Sequence, residues 1–114
     1  MALGVGIDLI EIERVERALE RRPRLAERLF TDAELAYARD RARPGRHLAA
    51  RFAAKEAVIK ALGQGLPMRQ IEVVSGEPPQ LRLHGRAAEV AGDAEIAISL
   101  THSQDSAAAI AIAN

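Results

Sequence analysis

Residues 46–63 read RHLAARFAAKEAVIKALG, an uninterrupted helical pattern that Pro44 and Gly45 precede and Gly63 closes. Proline is favoured in the first turn of a helix, and glycine directly after the last turn. Leucine, phenylalanine and isoleucine recur along this stretch at spacings of three and four residues, which places them on one helical face. The sequence therefore predicts one long helix with an apolar face turned towards the core.

Strand-like segments lie on both sides of this helix. Residues 3–10 alternate large apolar side chains with glycine and aspartate, which is the period of a half-buried strand. The runs IEVVSG and QLRLHG (within 71–85) flank a GEPP turn, and EIAISLTH and AAAIAIAN (within 95–114) form a second pair joined near SQDS. We expect an α+β fold with a largely antiparallel sheet packed on one long helix, in a single small domain over residues 1–114.

Three shorter helices are predicted between these elements. A charged helix spans roughly residues 11–22 and is interrupted by Pro23. Thr31 and Glu34 form a T-x-x-E capping box that begins the second helix. The run RAAEVAG, with Gly92 near its end, predicts the third.

Composition excludes several classes of protein. The chain has 114 residues, no cysteine, 16 basic and 16 acidic residues, which excludes disulfides, thiolate catalysis and sulfur-ligated zinc. Zero net charge argues against attraction of the whole molecule to nucleic acid or membranes, and no apolar run approaches the roughly 20 residues of a transmembrane helix. The N-terminal stretch carries acidic residues where a signal peptide needs a basic start and a long apolar run. We therefore expect a cytoplasmic protein.

The apolar fraction indicates a thin core. Hydrophobic residues make up 48% of the chain, but 23 residues are alanine and only Phe30, Tyr37 and Phe52 are aromatic. A domain of this size buries only about 60–70% of the surface of its unfolded chain. Burial against another copy of the chain would compensate for the small core, so the composition predicts an oligomer.

Two carboxylates stand in unusual surroundings. Glu56 falls within the apolar face of the long helix, where an ionised carboxylate is costly unless it is paired or binds a metal. Lys60, four residues later, offers an ion pair as the simpler explanation. Asp8 comes late in the first strand, close to Gly4 and Gly6, and either caps the following helix or faces a ligand. A dinucleotide-binding fold is excluded, because the third glycine of its fingerprint is absent.

The histidines and arginines leave alternatives open. His102 ends an apolar strand and is either a structural hydrogen-bonding residue or part of a site, whereas His47 and His84 stand at no metal-ligand spacing and receive no role. Between Arg14 and Arg51 there are 11 arginines and 6 acids, a local excess of +5. This run is either a solvated face with internal ion pairs or a docking surface for an acidic partner. Nucleic acid is a weaker alternative, because stacking aromatics are nearly absent.

Four motifs, in an order that covers nearly the whole chain, resemble those of a known family. GVGIDLIEIERV, RLFTDAELAYA, ARFAAKEAVIKALG and ISLTHSQDSAAAIAI are similar to segments of the holo-(acyl-carrier-protein) synthases, the small 4′-phosphopantetheinyl transferases of fatty acid synthesis. The resemblance implies transfer of the phosphopantetheine arm of coenzyme A to a serine hydroxyl of apo acyl carrier protein, which leaves adenosine 3′,5′-bisphosphate. It also implies Mg²⁺ dependence and a homotrimer with active sites between subunits.

The resemblance also implies roles for individual residues. Asp8 and Glu56 would bind Mg²⁺, and Glu56 would receive the serine proton, directly or through a bound water. Lys60 would contact the transferred or departing phosphate, and His102 would line the nucleotide or pyrophosphate site. The remaining implied contacts are Arg51 and Lys55 with phosphates or within the trimer, Gly63 and Gly65 with the nucleotide, and Arg14, Arg21 and Arg24 with an acidic helix of the carrier protein.

Two other functions fit parts of the pattern. A non-catalytic module could bind coenzyme A or a nucleotide while its carboxylates only cap and pair. A purely structural oligomer could bind an acidic protein through its arginine face. Tight coenzyme A binding without turnover would indicate the first, and magnesium-independent partner binding without coenzyme A affinity would indicate the second.

Overall fold

The fold combines one long helix with antiparallel strands. The computed structural model describes residues 3–114. In chain order the elements are β1 (Gly4–Glu11), α1 (Ile12–Arg21), α2 (Leu25–Leu29), α3 (Asp32–Arg39), α4 (Pro44–Leu62), a 3₁₀ helix (Met68–Gln70), β2 (Ile71–Val74), β3 (Gln80–Leu83), α5 (Gly85–Ala91), β4 (Ile96–His102) and β5 (Ser106–Ala113). The expected α+β class is confirmed, and α4 is the predicted long helix.

The described strands form two separate antiparallel sheets. β5 lies in the middle of a three-stranded sheet of order β1-β5-β4, whereas β2 pairs with β3 alone. In the larger sheet Asp8 stands opposite Ala109, and Ala107 lies between Ile10 and His102. Because side chains alternate across a strand, Asp8 and His102 lie on the same face of that sheet. The predicted strand pairs are confirmed, but they do not join into one sheet.

Helix α4 packs on the larger sheet through alanine. Ala53 and Ala57 are fully buried, and a Cβ at Gly6 would overlap the carbonyl oxygen of Ala57. Glycine in β1 therefore lets the backbones of strand and helix approach closely. The predicted stripe is confirmed only in part: Leu48 is buried with Phe30 and Ala38, but the alanine side of α4 faces the sheet. The face that carries Phe52 and Glu56 is half-buried and borders a cleft instead.

The local capping signals are confirmed. The hydroxyl of Thr31 accepts a hydrogen bond from the backbone N–H of Glu34 at 3.2 Å, and the Glu34 carboxylate accepts one from the N–H of Thr31 at 2.9 Å. Gly63 ends α4 with a φ of 79°, a left-handed conformation that glycine adopts without strain. The pattern did not predict α2 or the 3₁₀ helix, because segments of five and three residues are too short to show a helical period.

One face of the larger sheet is apolar and exposed. Its residues on and beside β1 are 56–72% exposed and their neighbours on β5 are 37–38% exposed: Leu3, Val5, Ile7, Leu9, Ile110 and Ile112. We call these six residues the exposed apolar face. Contiguous apolar patches on a soluble surface commonly mark an interaction site.

Within residues 3–114, none of the helices combines the length and the apolar character that crossing a bilayer requires.

Candidate active site

A cleft of about 380 Å³ opens where β1, α1, α2 and α4 meet. Most of its lining is apolar, with Leu19 and Phe52 among the wall residues. Three charged side chains also line it, namely Asp8, Arg14 and Glu56. The fold thus brings the two unusual carboxylates of the sequence together in one place, which we call the carboxylate cleft.

Asp8 reaches this cleft because of the strand period. Gly6, two residues earlier on the same face of β1, lies against α4, so Asp8 is turned towards that helix as well. The N-cap of α1 is Glu11, and its side chain makes no capping hydrogen bond. The capping explanation for Asp8 was therefore wrong, since this residue lies inside the strand, and its side chain is 18% exposed.

Lys60 bonds to β1 and not to its own helix. Its ammonium donates to the carbonyl oxygen of Ile7 at 2.9 Å and to Oδ1 of Asp8 at 3.3 Å. The expected ion pair with Glu56 is absent from the part of the chain that the structure describes, because the close approach of β1 offers Lys60 these alternative acceptors. The side chain of Lys60 is 52% exposed, so leaving Asp8 costs it little.

Glu56 has an unfavourable electrostatic environment. Burial raises the pKa of its carboxyl above the ordinary value, and the charge of Asp8 raises it further, while Lys60 acts in the opposite direction. A divalent cation between the two carboxylates would relieve both effects. Among residues 3–114 no group of three or more histidine, cysteine, aspartate or glutamate side chains could hold a metal. Two carboxylates nevertheless fit Mg²⁺, which usually takes its other ligands from water and substrate phosphates.

Arg51 and His102 lie in a second group of side chains. Arg51 is 6% exposed, donates to Oγ of Ser75 at 3.0 Å and stacks 4.2 Å from the centre of the Tyr37 ring. The ring of His102 meets the ring of His47 edge-on at 5.8 Å. Neither Arg51 nor His102 lines the carboxylate cleft. The predicted site residues therefore fall into two groups within one chain.

We call the second group the aromatic cluster; its members are Tyr37, Arg41, His47, Arg51 and His102. Tyr37 and His47 were not singled out as functional by the sequence. They are 10 positions apart and His102 is 55 positions beyond His47, so no local spacing joins them. The fold alone brings these rings into contact.

Lys55 is a structural residue. Its side chain is fully buried, and its ammonium donates to Oε1 of Glu34 at 2.8 Å and to the carbonyl oxygens of Met68 and Ile71 at 3.0 and 2.6 Å. Three acceptors satisfy the three N–H groups of a lysine. The implied contact of Lys55 with a phosphate or with another subunit was therefore wrong.

The other implied contacts lie on the surface. A Cβ added at Gly63 or Gly65 would meet no atom within 4 Å, so both glycines border open space beside the end of α4. Arg14, Arg21 and Arg24 are exposed, and none of them forms an ion pair within residues 3–114. Internal pairing therefore does not account for these three arginines. Their role in partner binding stays a prediction.

Comparison with known proteins covers nearly the whole chain. Residues 4–113 match the model of the 4′-phosphopantetheinyl transferase superfamily. A holo-[acyl-carrier-protein] synthase of Moorella thermoacetica is 52% identical over 96% of this chain and 92% of its own length. The synthase of the same name from Geobacter sulfurreducens is 42% identical, with coverage of 98% and 95%.

Solved structures extend this similarity to the fold. The acyl carrier protein synthase of Mycobacterium tuberculosis gives a TM-score of 0.81 at 42% identity and covers 97% of this chain and 96% of its own. A Chronobacterium ammoniagenes ACPS–CoA complex gives 0.88 at 32% identity, with coverage of 100% and 98%. The agreement includes β1 and α4, which carry Asp8 and Glu56. This chain therefore belongs to the 4′-phosphopantetheinyl transferase superfamily, as a member of the holo-(acyl-carrier-protein) synthase family.

Proposed function

We propose that this protein transfers the 4′-phosphopantetheine arm of coenzyme A to a serine hydroxyl of apo acyl carrier protein, in a Mg²⁺-dependent reaction of cytoplasmic fatty acid biosynthesis. The products are holo acyl carrier protein and adenosine 3′,5′-bisphosphate. The observation that carries the proposal is the pairing of Asp8 and Glu56 in one largely apolar cleft, with Lys60 bonded to Asp8, in a member of this family.

The side chains of the carboxylate cleft suit phosphoryl transfer. Asp8 and Glu56 would hold Mg²⁺, which when bound supplies positive charge to the pyrophosphate of coenzyme A. The exposed ammonium of Lys60 is close enough to this pair to turn towards a phosphate oxygen. These three groups therefore favour a reaction that develops negative charge on a leaving phosphate.

Glu56 is also the proposed proton acceptor. Because its pKa is raised, its carboxylate is a stronger base than an ordinary glutamate. As Glu56 takes the serine proton, the serine oxygen forms a bond to the phosphorus that carries pantetheine. The bond from that phosphorus to the oxygen of the leaving bisphosphate breaks in the same transfer. Coordination of a metal would weaken this basicity, so the two roles of Glu56 compete.

The proposed coenzyme contacts lie outside the carboxylate cleft of the same chain. Arg51 and His102 belong to the aromatic cluster, and Gly63 and Gly65 border the end of α4. We therefore expect a complete site to combine parts of neighbouring subunits. The exposed apolar face supports assembly, and the threefold number follows from the resemblance.

The carrier protein is the proposed acidic partner. Arg14 lines the carboxylate cleft, and Arg21 lies at the end of the same helix, with Arg24 just beyond it. These cations lead from the cleft along one exposed surface, where an acidic helix would gain charge complementarity. A carrier bound there would present its serine to Glu56.

The test is the intact mass of a purified apo acyl carrier protein after incubation with this protein and coenzyme A. We expect the addition of one phosphopantetheine arm with Mg²⁺ and none with excess EDTA. Asp8→Ala and Glu56→Ala should remove transfer while far-ultraviolet circular dichroism stays unchanged. Glu89→Ala is the matched control, because Glu89 is an exposed carboxylate on α5 outside the cleft, and it should retain transfer.

Two results would contradict the proposal at different points. Transfer by the double variant Asp8→Ala, Glu56→Ala would rule out the metal and base assignments. No mass change in a carrier that a known transferase modifies would rule out the reaction with that carrier, and coenzyme A binding would then separate a different carrier from a non-catalytic module.

A further inference from the structure

His47 occupies the middle of the aromatic cluster. Its ring stands edge-on to Tyr37 on one side and to His102 on the other, with centroids 5.8 Å apart in both pairs. Its backbone carbonyl oxygen accepts a hydrogen bond from Arg51 at 3.4 Å. One residue at the start of α4 therefore contacts both proposed coenzyme ligands, His102 through its ring and Arg51 through its main chain.

Tyr37 connects the ring of His47 to the guanidinium of Arg51. Two guanidinium groups lie over the Tyr37 ring, that of Arg51 at 4.2 Å and that of Arg41 at 3.9 Å from its centre. Ser75 fixes one end of the Arg51 side chain, whereas its buried Nε has no hydrogen-bond partner in the described part of the chain. The ring of Tyr37 and the hydroxyl of Ser75 therefore hold the guanidinium of Arg51 in one place.

His47 is surrounded by positively charged side chains, which affect its protonation state. Burial lowers the pKa of its imidazole below the ordinary value, and the charges of Arg51, His102, Arg41 and Arg46 lower it further. The ring is therefore neutral at neutral pH and adds no repulsion to its neighbours. Tyr37 and His102 therefore both contact a neutral aromatic ring.

We propose that His47 is a positioning residue that orients His102 and Arg51 for coenzyme A, by ring contacts with His102 and Tyr37, without touching the coenzyme itself. This inference rests on the proposed function, because it concerns the same coenzyme site. His102 is exposed, and the ring of His47 restricts its rotamers. Removal of that ring also removes the packing that holds Tyr37 beneath Arg51.

The test compares His47→Leu with His47→Phe. Phenylalanine keeps an aromatic edge at this position, whereas leucine keeps apolar volume without a ring. Calorimetric titration with coenzyme A, in the absence of carrier protein, should give a Kd within about twofold of wild type for His47→Phe and about threefold to tenfold weaker for His47→Leu. In steady-state transfer the KM for coenzyme A should rise in parallel, while kcat and the KM for carrier protein stay within about twofold.

Two controls accompany this pair. His84→Ala should bind coenzyme A like wild type, because His84 contacts Glu72 at 2.9 Å and no member of the aromatic cluster. The imidazole carbon-bound proton resonances of His102, recorded without coenzyme A, should move in His47→Leu, since the ring current of His47 is lost. They report the contact between the two rings whether or not the variant is active.

Four outcomes would overturn the inference. Unchanged coenzyme affinity in His47→Leu, or an unchanged His102 resonance, would show that the ring does not orient its neighbour. Equal losses in the phenylalanine and leucine variants would assign His47 a direct polar contact with the coenzyme instead. Absence of coenzyme A binding by the wild-type protein would contradict the proposed function, and the positioning role would be rejected with it.

Discussion

Glu56 lies in surroundings that oppose its ionisation. Its neighbours across the carboxylate cleft are an apolar wall and the carboxylate of Asp8, and both raise its pKa. An acid whose pKa is higher in the folded than in the unfolded state destabilises the fold at every pH at which it is ionised. The same surroundings make the carboxylate a stronger base. The proposed proton acceptor therefore lowers the free energy of unfolding.

The substitution Glu56→Gln should raise the thermal midpoint of the metal-free protein at pH 7–8. This advantage should shrink as the pH falls and should vanish below the unfolded-state pKa of about 4.3, where the wild-type carboxyl becomes protonated in both states. Thermal unfolding in EDTA across this range is the measurement. Added Mg²⁺ should raise the wild-type midpoint and leave that of Glu56→Gln unchanged. A variant advantage that does not depend on pH would refute the explanation.

Two lysines on α4 provide a second test at the level of single residues. Lys55→Met leaves the fully buried Glu34 without its cation and should lower the free energy of unfolding by about 3–5 kcal/mol. Lys60→Met removes a half-exposed ion pair with Asp8 and should cost no more than about 1 kcal/mol. Urea unfolding at neutral pH measures both values. Similar costs for the two variants would contradict the structural role of Lys55.

At the scale of elements, the approach of β1 to α4 builds the site. Gly4 and Gly6 lie against the backbone carbonyls of Ala61 and Ala57, where any Cβ would overlap. The strand therefore lies on the helix backbone itself, which brings Asp8 within reach of Lys60. A bulkier interface would move both carboxylates apart.

Two glycines at the end of α4 allow the effect of backbone strain on stability to be distinguished from the effect of steric contact. Gly63 has a φ of 79° and Gly65 does not have a positive φ, yet a Cβ would meet no atom within 4 Å at either position. Gly63→Ala should therefore lower the free energy of unfolding by about 1 kcal/mol through backbone strain alone. Gly65→Ala should change it by less than about 0.5 kcal/mol. Equal effects in chemical denaturation would show that the left-handed cap does not matter.

At the scale of the whole molecule, the exposed apolar face is a candidate surface for the assembly of several copies of the chain. Val5 and Ile7 on β1 stand opposite Ile112 and Ile110 on β5, and together these side chains form a continuous surface of two neighbouring strands. In a chain with 23 alanines, these exposed branched side chains are large apolar groups left outside the core. Assembly of several copies would bury it and bring the two groups of site residues into one site.

The substitution Ile7→Lys should disrupt this assembly, because it places a charge in the middle of the exposed apolar face. Light scattering should show wild type as an oligomer and Ile7→Lys as a particle of 12.3 kDa with native circular dichroism. Transfer should be lost together with assembly. Glu89→Lys, which alters an exposed position on α5, is the control and should stay oligomeric. A wild-type mass of 12.3 kDa would rule out the assembly.

Local signals of the sequence were sufficient for most elements. The local sequence predicted the capping box of Thr31 and Glu34 and the ends of the long helix at Pro44 and Gly63. These features depend on residues only a few positions apart. Asp8 and Glu56 were recognisable as candidates because carboxylates interrupt apolar patterns. Elements as short as α2 carry no such period and could not be predicted.

Contacts between distant residues depended on the tertiary structure. Lys60 bonds to Asp8, 52 positions away, and not to Glu56 one helical turn away, because glycines in β1 bring that strand onto α4. The burial of Lys55 against Glu34 and the contact of His47 with His102 also depend on the packing of segments that are distant in the sequence. Residue type and local pattern predict the secondary structure of each segment. The partner of a charged or aromatic side chain depends instead on how segments that are distant in the sequence pack together.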